Sequence, residues 1–123
     1  MSRAFAEISF TPSVLALQKA QGSAEKYATF LEPETERGDR IGPAEEAFIK
    51  QRDGFYQATT SQSGWPYVQF RGGPVGFLKV IDDTTISYAD YRGNRQYLSA
   101  GNIVDDDRVS LILMDYPNRR RLK

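Results

Sequence analysis

The chain has 123 residues, 40% of them hydrophobic and 26% charged, a globular composition for one domain that argues against disorder. Sixteen basic residues balance 16 acidic ones, so no overall field recruits nucleic acid or an anionic membrane. Cysteine and histidine are both absent, which excludes disulfides, thiolate nucleophiles, Ser-His-Asp triads and histidine-ligated metals, so an enzyme of this composition relies on a cofactor.

Met1-Ser2-Arg3-Ala4-Phe5 lacks a signal-like apolar core, and no apolar run reaches membrane-spanning length. A cytoplasmic protein is the expectation. Thr11-Pro12 fits an N-cap followed by proline at the first helical position. Val14, Leu15, Ala20, Ala24, Tyr27, Ala28 and Leu31 recur at helical spacing, with Gly22 dividing the run. Residues 32–42 read as a polar loop, and a second helix starts near Pro43, burying Ala47, Phe48 and the stem of Arg52.

From Gly54 the period changes to two. Strands are expected over residues 55–61, 65–70, 75–81, 84–88, 108–114 and 119–123, with a short helix over 93–101 capped by Gly101 or Asn102. The fold class is therefore mainly β within an α+β chain. It is a six-stranded antiparallel split barrel with N-terminal helices and one inserted helix. One domain spans 1–123, with a helical part over 1–52 and the barrel over 54–123. The last strand stops almost as it begins, which suggests closure there, a covering partner or a shortened chain.

Two segments carry candidate chemistry. In Pro66-Tyr67-Val68-Gln69-Phe70-Arg71-Gly72-Gly73 the polar Tyr67, Gln69 and Arg71 face one way and Val68 and Phe70 the other. Gln69 donates and accepts, Arg71 offers a rigid fork of donors, and Gly72-Gly73 lets a ligand approach bare backbone. This suits the polar edge of an isoalloxazine ring; the alternative is a solvated strand row ending in a turn. Gly93-Asn94-Arg95-Gln96 at a helix start is an anion-site arrangement in which Arg95 adds a charge-assisted bond. The alternative is that Asn94 only caps the helix. Lys79 is a second phosphate contact or an exposed edge lysine.

Other segments carry less. Asp105-Asp106-Asp107 cannot converge on one ion, so no metal site is expected. Arg119-Arg120-Arg121 alternate between strand faces and make no nucleic-acid stripe. Trp65 reads as a core or interface residue, and Ser61, Ser63 and Ser99 have no base to activate them.

The runs from Pro66 to Gln96 and from Leu111 to Leu122 resemble the pyridoxamine 5'-phosphate oxidase-like family of FMN-binding split barrels. The resemblance implies a homodimer with FMN at the subunit interface. It implies Gln69, Arg71 and Gly72 near the ring and ribityl chain, Lys79, Asn94, Arg95 and Gln96 around the phosphate, and Arg121 near the flavin. The oxidases' substrate-binding arginine and histidine have no counterpart, so the expected function is an FMN-dependent oxidoreductase of another substrate, with no catalytic residue assigned. The alternatives are a flavin-binding or buffering protein, a dimerisation module, or a barrel that takes F420 in place of FMN.

Overall fold

The computed structural model describes residues 1–123, which divide into two compact units, Met1–Ile41 and Gly42–Lys123. In the first unit, helix α2 (Pro12–Ala20) starts where the Thr11-Pro12 signal places it, and Thr11 Oγ1 accepts from the Val14 amide. Gly22 then takes φ 72°, a left-handed value that breaks the helix before α3 (Ala24–Ala28) and a single 3-10 turn, Thr29–Leu31. An earlier helix, α1 (Arg3–Ser9), escaped the periodicity. Its first amides are held from far along the chain, Arg3 by the Glu36 carbonyl at 3.2 Å and Ala4 by that of Arg37 at 3.0 Å.

The second unit opens with α4 (Pro43–Lys50), where the Glu45 carboxylate accepts from the Gly42 amide at 3.1 Å. Ile49 is the buried residue of this helix, whereas Ala47 faces solvent, which corrects the expected inner face. Arg52 is partly buried, as expected for its stem. It donates to the carbonyls of Phe48 at 3.2 Å and Met114 at 2.8 Å.

The six strands are all antiparallel. Strands β1 (Gly54–Thr60), β2 (Pro66–Gly72), β5 (Ser110–Asp115) and β6 (Arg120–Leu122) form one sheet in the order β2-β1-β5-β6. Strands β3 (Lys79–Asp82) and β4 (Thr85–Ser87) pair as a separate hairpin, turned by Asp82, whose carboxylate accepts from the Thr84 amide and hydroxyl. The third strand begins later than expected. Residues 75–78 form a turn instead, with Gly76 at φ 79° and the Phe77 amide bonded to the Pro74 carbonyl.

The core lies on one face of the larger sheet. Phe55, Gln57 and Thr59 of β1 are buried in strict alternation, and Phe55 lies between Phe77 at 5.9 Å and Tyr88 at 5.0 Å. Burial of a side chain of that size stabilises by about 1.5–3 kcal/mol. Leu78 and Leu113 complete the apolar set. Asp115 is buried as well; it accepts from the Asn118 side chain at 3.0 Å and from Arg120 at 2.9 Å, with Arg52 at 3.9 Å. Those donors, Asn118 foremost, hold its carboxyl below the usual value.

Strand β2 inverts the usual pattern. Its half-buried residues are Tyr67, Gln69 and Arg71, while Val68 and Phe70 are 60% and 58% exposed. In register, Tyr56 stands opposite Phe70 and Ile112, and Met114 stands opposite Arg121. Paired residues share a face, so the outer side of the sheet is an apolar surface that carries Arg121 at its edge.

Candidate functional site

The polar row of β2 opens onto a cleft of about 240 Å³ lined by Tyr67, Gln69, Arg71 and the continuous segment from Asp90 to Ala100. Strand pleating supplies one wall, because every second side chain of β2 points inward. The other wall is a loop followed by helix α5 (Leu98–Asp105). This helix corrects the expected span of 93–101. Gly93, Arg95 and Tyr97 adopt φ values of 49°, 62° and 55°, which no helix accommodates. Gly101 consequently lies inside the helix, its amide bonded to the Tyr97 carbonyl at 2.7 Å, rather than capping it.

Two non-glycine residues in the left-handed region within one short loop cost of order 1–3 kcal/mol each, a strain that clusters where ligands are held. The Asn94 side chain accepts from the Gln96 amide at 3.1 Å, closing a tight turn around Arg95. Asn94, Arg95 and Gln96 therefore share one wall, across from Gln69 and Arg71.

Arg71 is the most constrained of these side chains. One guanidinium nitrogen meets the Asp90 carboxylate at 2.5 Å and the plane lies over Tyr88, 5.4 Å from the ring centre. Its Nε is buried with no hydrogen-bond partner in the protein, an orphan donor on a cleft-lining residue. Gln69 accepts a 3.0 Å hydrogen bond from the hydroxyl of Ser99, in the first turn of α5.

Three expected residues lie outside the cleft lining. Lys79 turns its ammonium to the Gly76 carbonyl at 2.7 Å, and Arg121 belongs to the outer face of the sheet. Gly72 also lies beyond it; the space a Cβ would take there is filled by the Phe70 ring at 3.0 Å, and at Gly73 by the Phe77 ring at 2.7 Å. The protein's own aromatic rings account for the absence of side chains at these glycines. Trp65 is 76% exposed, so it is no core residue. In the aspartate run, Asp106 accepts two bonds from Arg108, at 2.8 and 2.7 Å, which hold its carboxyl at about 2.

Sequence reasoning put Tyr67 in the polar row of the ligand-facing strand but named neither it nor Asp90, Arg92 and Ser99 as binding residues. Arg92 lies one residue before the Gly93-Asn94-Arg95-Gln96 motif, and a wider reading of that motif finds it. Asp90 and Ser99 become visible only through their partners, Arg71 and Gln69.

The cleft walls carry Arg71, Arg92 and Arg95 against Asp90 alone, a net charge of two positive. A model of the pyridoxamine 5'-phosphate oxidase family matches residues 41–123, the whole of the unit that holds the cleft. Searches of curated proteins and of solved structures return no match. Proteins of this family are flavin-binding split barrels, generally related to oxidoreductases. The match covers more than half of the chain, and the chain belongs to the pyridoxamine 5'-phosphate oxidase-like family.

Proposed function

We propose that the cleft binds FMN and that the protein is an FMN-dependent oxidoreductase acting as a homodimer in the cytoplasm. The observation that carries this reading is the charge and donor pattern of the cleft. A surplus of two positive charges matches a phosphate monoester, which carries roughly −1.5 to −2 at neutral pH. Arg92, Arg95 and the Asn94 turn would hold that phosphate; Gln69, Tyr67 and the Arg71 guanidinium would meet the ring and its polar edge. The residues present fit the group.

Bound FMN supplies hydride and electron chemistry that no side chain here provides. The protein's part is orientation and charge. Asp90 keeps the Arg71 fork fixed, and the Tyr88 ring lies against the guanidinium. No residue of the cleft is assigned a proton-transfer role.

The volume supports a second copy. Ligand sites typically enclose about 300–1,000 Å³. At about 240 Å³ the cleft of one chain covers only part of a flavin nucleotide. The outer face, with Val68 and Phe70 exposed and Ile112 half-buried, supplies a surface for the partner, and Arg121 lies on that face. In this reading Arg121 approaches the flavin only in the dimer, while Lys79 and Gly72 lie outside the cleft lining.

Purified protein is expected to be yellow or to quench FMN fluorescence on titration. Arg95→Ala weakens FMN by about 10- to 150-fold, the worth of one charge-assisted bond, and leaves riboflavin unchanged. Equal losses for both ligands would remove Arg95 from the phosphate shell. No binding at high micromolar FMN would overturn the proposal.

A further inference from the structure

Beneath the cleft, α5 is fastened to the sheet by polar side chains rather than by an apolar stripe. Ser99 donates to Gln69 Oε1 of β2 at 3.0 Å, and one turn later Asn102 Nδ2 donates to Thr59 Oγ1 of β1 at 3.0 Å. Ser99 is 3% exposed and Thr59 is equally buried. A hydroxyl out of contact with water must donate to something, because an unpaired one costs about 1–3 kcal/mol. For Ser99 that acceptor is the Gln69 carbonyl oxygen.

This fixes more than the helix. A glutamine amide has an acceptor end and a donor end, and a free one turns to suit whatever ligand arrives. With Oε1 held by Ser99, reversing the Gln69 amide would turn its NH2 to the Ser99 oxygen, which can accept, but would leave the buried hydroxyl proton without this acceptor. The NH2 group is then the end left for the cleft. We infer that Ser99 is a positioning residue that sets ligand specificity: it locks Gln69 as a hydrogen-bond donor, so the cleft selects a planar ligand that presents a carbonyl or ring-nitrogen acceptor at that point. A ligand with a donor there pays for a broken Ser99–Gln69 pair, and discrimination of this kind exceeds what apolar shape provides.

The inference rests on the flavin reading for the identity of the ligand, not for the lock itself. Two measurements therefore separate them. In the ligand-free full chain, the ¹⁵N order parameter of the Gln69 side-chain amide is expected to fall in Ser99→Ala and to hold in Asn102→Ala, which loosens α5 without touching Gln69. An unchanged Gln69 value in Ser99→Ala overturns the lock, whatever the protein binds.

The second measurement is an FMN and riboflavin titration of wild type, Ser99→Ala, Gln69→Ala, Gln69→Glu and the Ser99→Ala/Gln69→Ala pair. Ser99→Ala is expected to weaken both flavins by the same factor, about 3- to 10-fold for one neutral hydrogen bond, and to cost nothing further once Gln69 is alanine. Gln69→Glu keeps the acceptor for Ser99 but loses the donor, and falls at least as far as Gln69→Ala. Additive losses, or a Gln69→Glu variant that binds as wild type, overturn the specificity role. Wild-type protein that binds neither flavin overturns the proposed function, and the order parameter still decides the lock.

Discussion

Along strand β2 the two faces of the larger sheet differ in the wrong direction for a monomer in water. The inner face, beside the core, carries Tyr67, Gln69 and Arg71, whereas the outer face presents Val68, Phe70 and Ile112. Buried polar groups left without a partner, as at Arg71 Nε, are costly. Apolar side chains left in the open are favourable only when another surface covers them. In the proposed reading the inner face meets FMN and the outer face meets a second copy of the chain.

The sharpest way to break this comparison uses its two phenylalanines. Phe55 is 1% exposed on the inner face and Phe70 is 58% exposed on the outer one. Phe55→Ala should lower unfolding free energy by about 3–5 kcal/mol in denaturant titrations. Phe70→Ala should cost far less in intrinsic stability and appear instead as a concentration-dependent melting temperature. Equal losses would make both faces core and erase the distinction.

Next in size, Val68→Glu places a charge on the outer face at an exposed position. It is expected to leave the fold intact and to give a monomer by light scattering, with FMN affinity reduced by roughly 100-fold or more, the effect of desolvating an unpaired charge at an interface. A monomer that binds FMN as tightly as wild type would confine the site to one chain.

Acid tests the polar side of the sheet. Asp115 is held below its ordinary value of 3.8, first by the Asn118 side chain and then by Arg120. A carboxyl with a lower pKa in the folded than in the unfolded chain stabilises the fold fully above the unfolded value. That stability is lost as pH falls through the folded one. Stability should therefore drop below about pH 3.8, and Asp115→Asn should flatten that limb in pH-dependent melting. Asp106, with its carboxyl at about 2, adds to the same limb from about pH 3.8 down to about 2. The smallest effect belongs to the tip of the first hairpin. Gly64 sits at φ 86° with open space around it, so Gly64→Ala should cost about 1 kcal/mol through backbone strain alone.

Much of the fold was legible because local signals and tertiary contacts agree. The Thr11-Pro12 start, the break at Gly22, all six strands and the Asp82 turn follow from caps, positive-φ glycine and period-two alternation. The misses share a cause. Helix α1 is held by the carbonyls of Glu36 and Arg37, and the start of α5 is displaced by left-handed residues at Arg95 and Tyr97 that no propensity anticipates. At the site, β2 alternation found Gln69 and Arg71, and the glycine–asparagine–arginine motif found Asn94, Arg95 and Gln96. Gly72 was read as a ligand approach because sequence does not reveal that the Phe70 ring occupies the space beside it. Lys79 and Arg121 depend on where a hairpin and a sheet edge face, which is a tertiary property.

Native mass spectrometry of the full chain after incubation with FMN tests the central claim most directly, because it reads ligand and partner together. The account predicts a two-chain species carrying two FMN, with Arg95→Ala keeping the dimer and losing the flavin. A flavin-free monomer at FMN concentrations in the high micromolar range would contradict it.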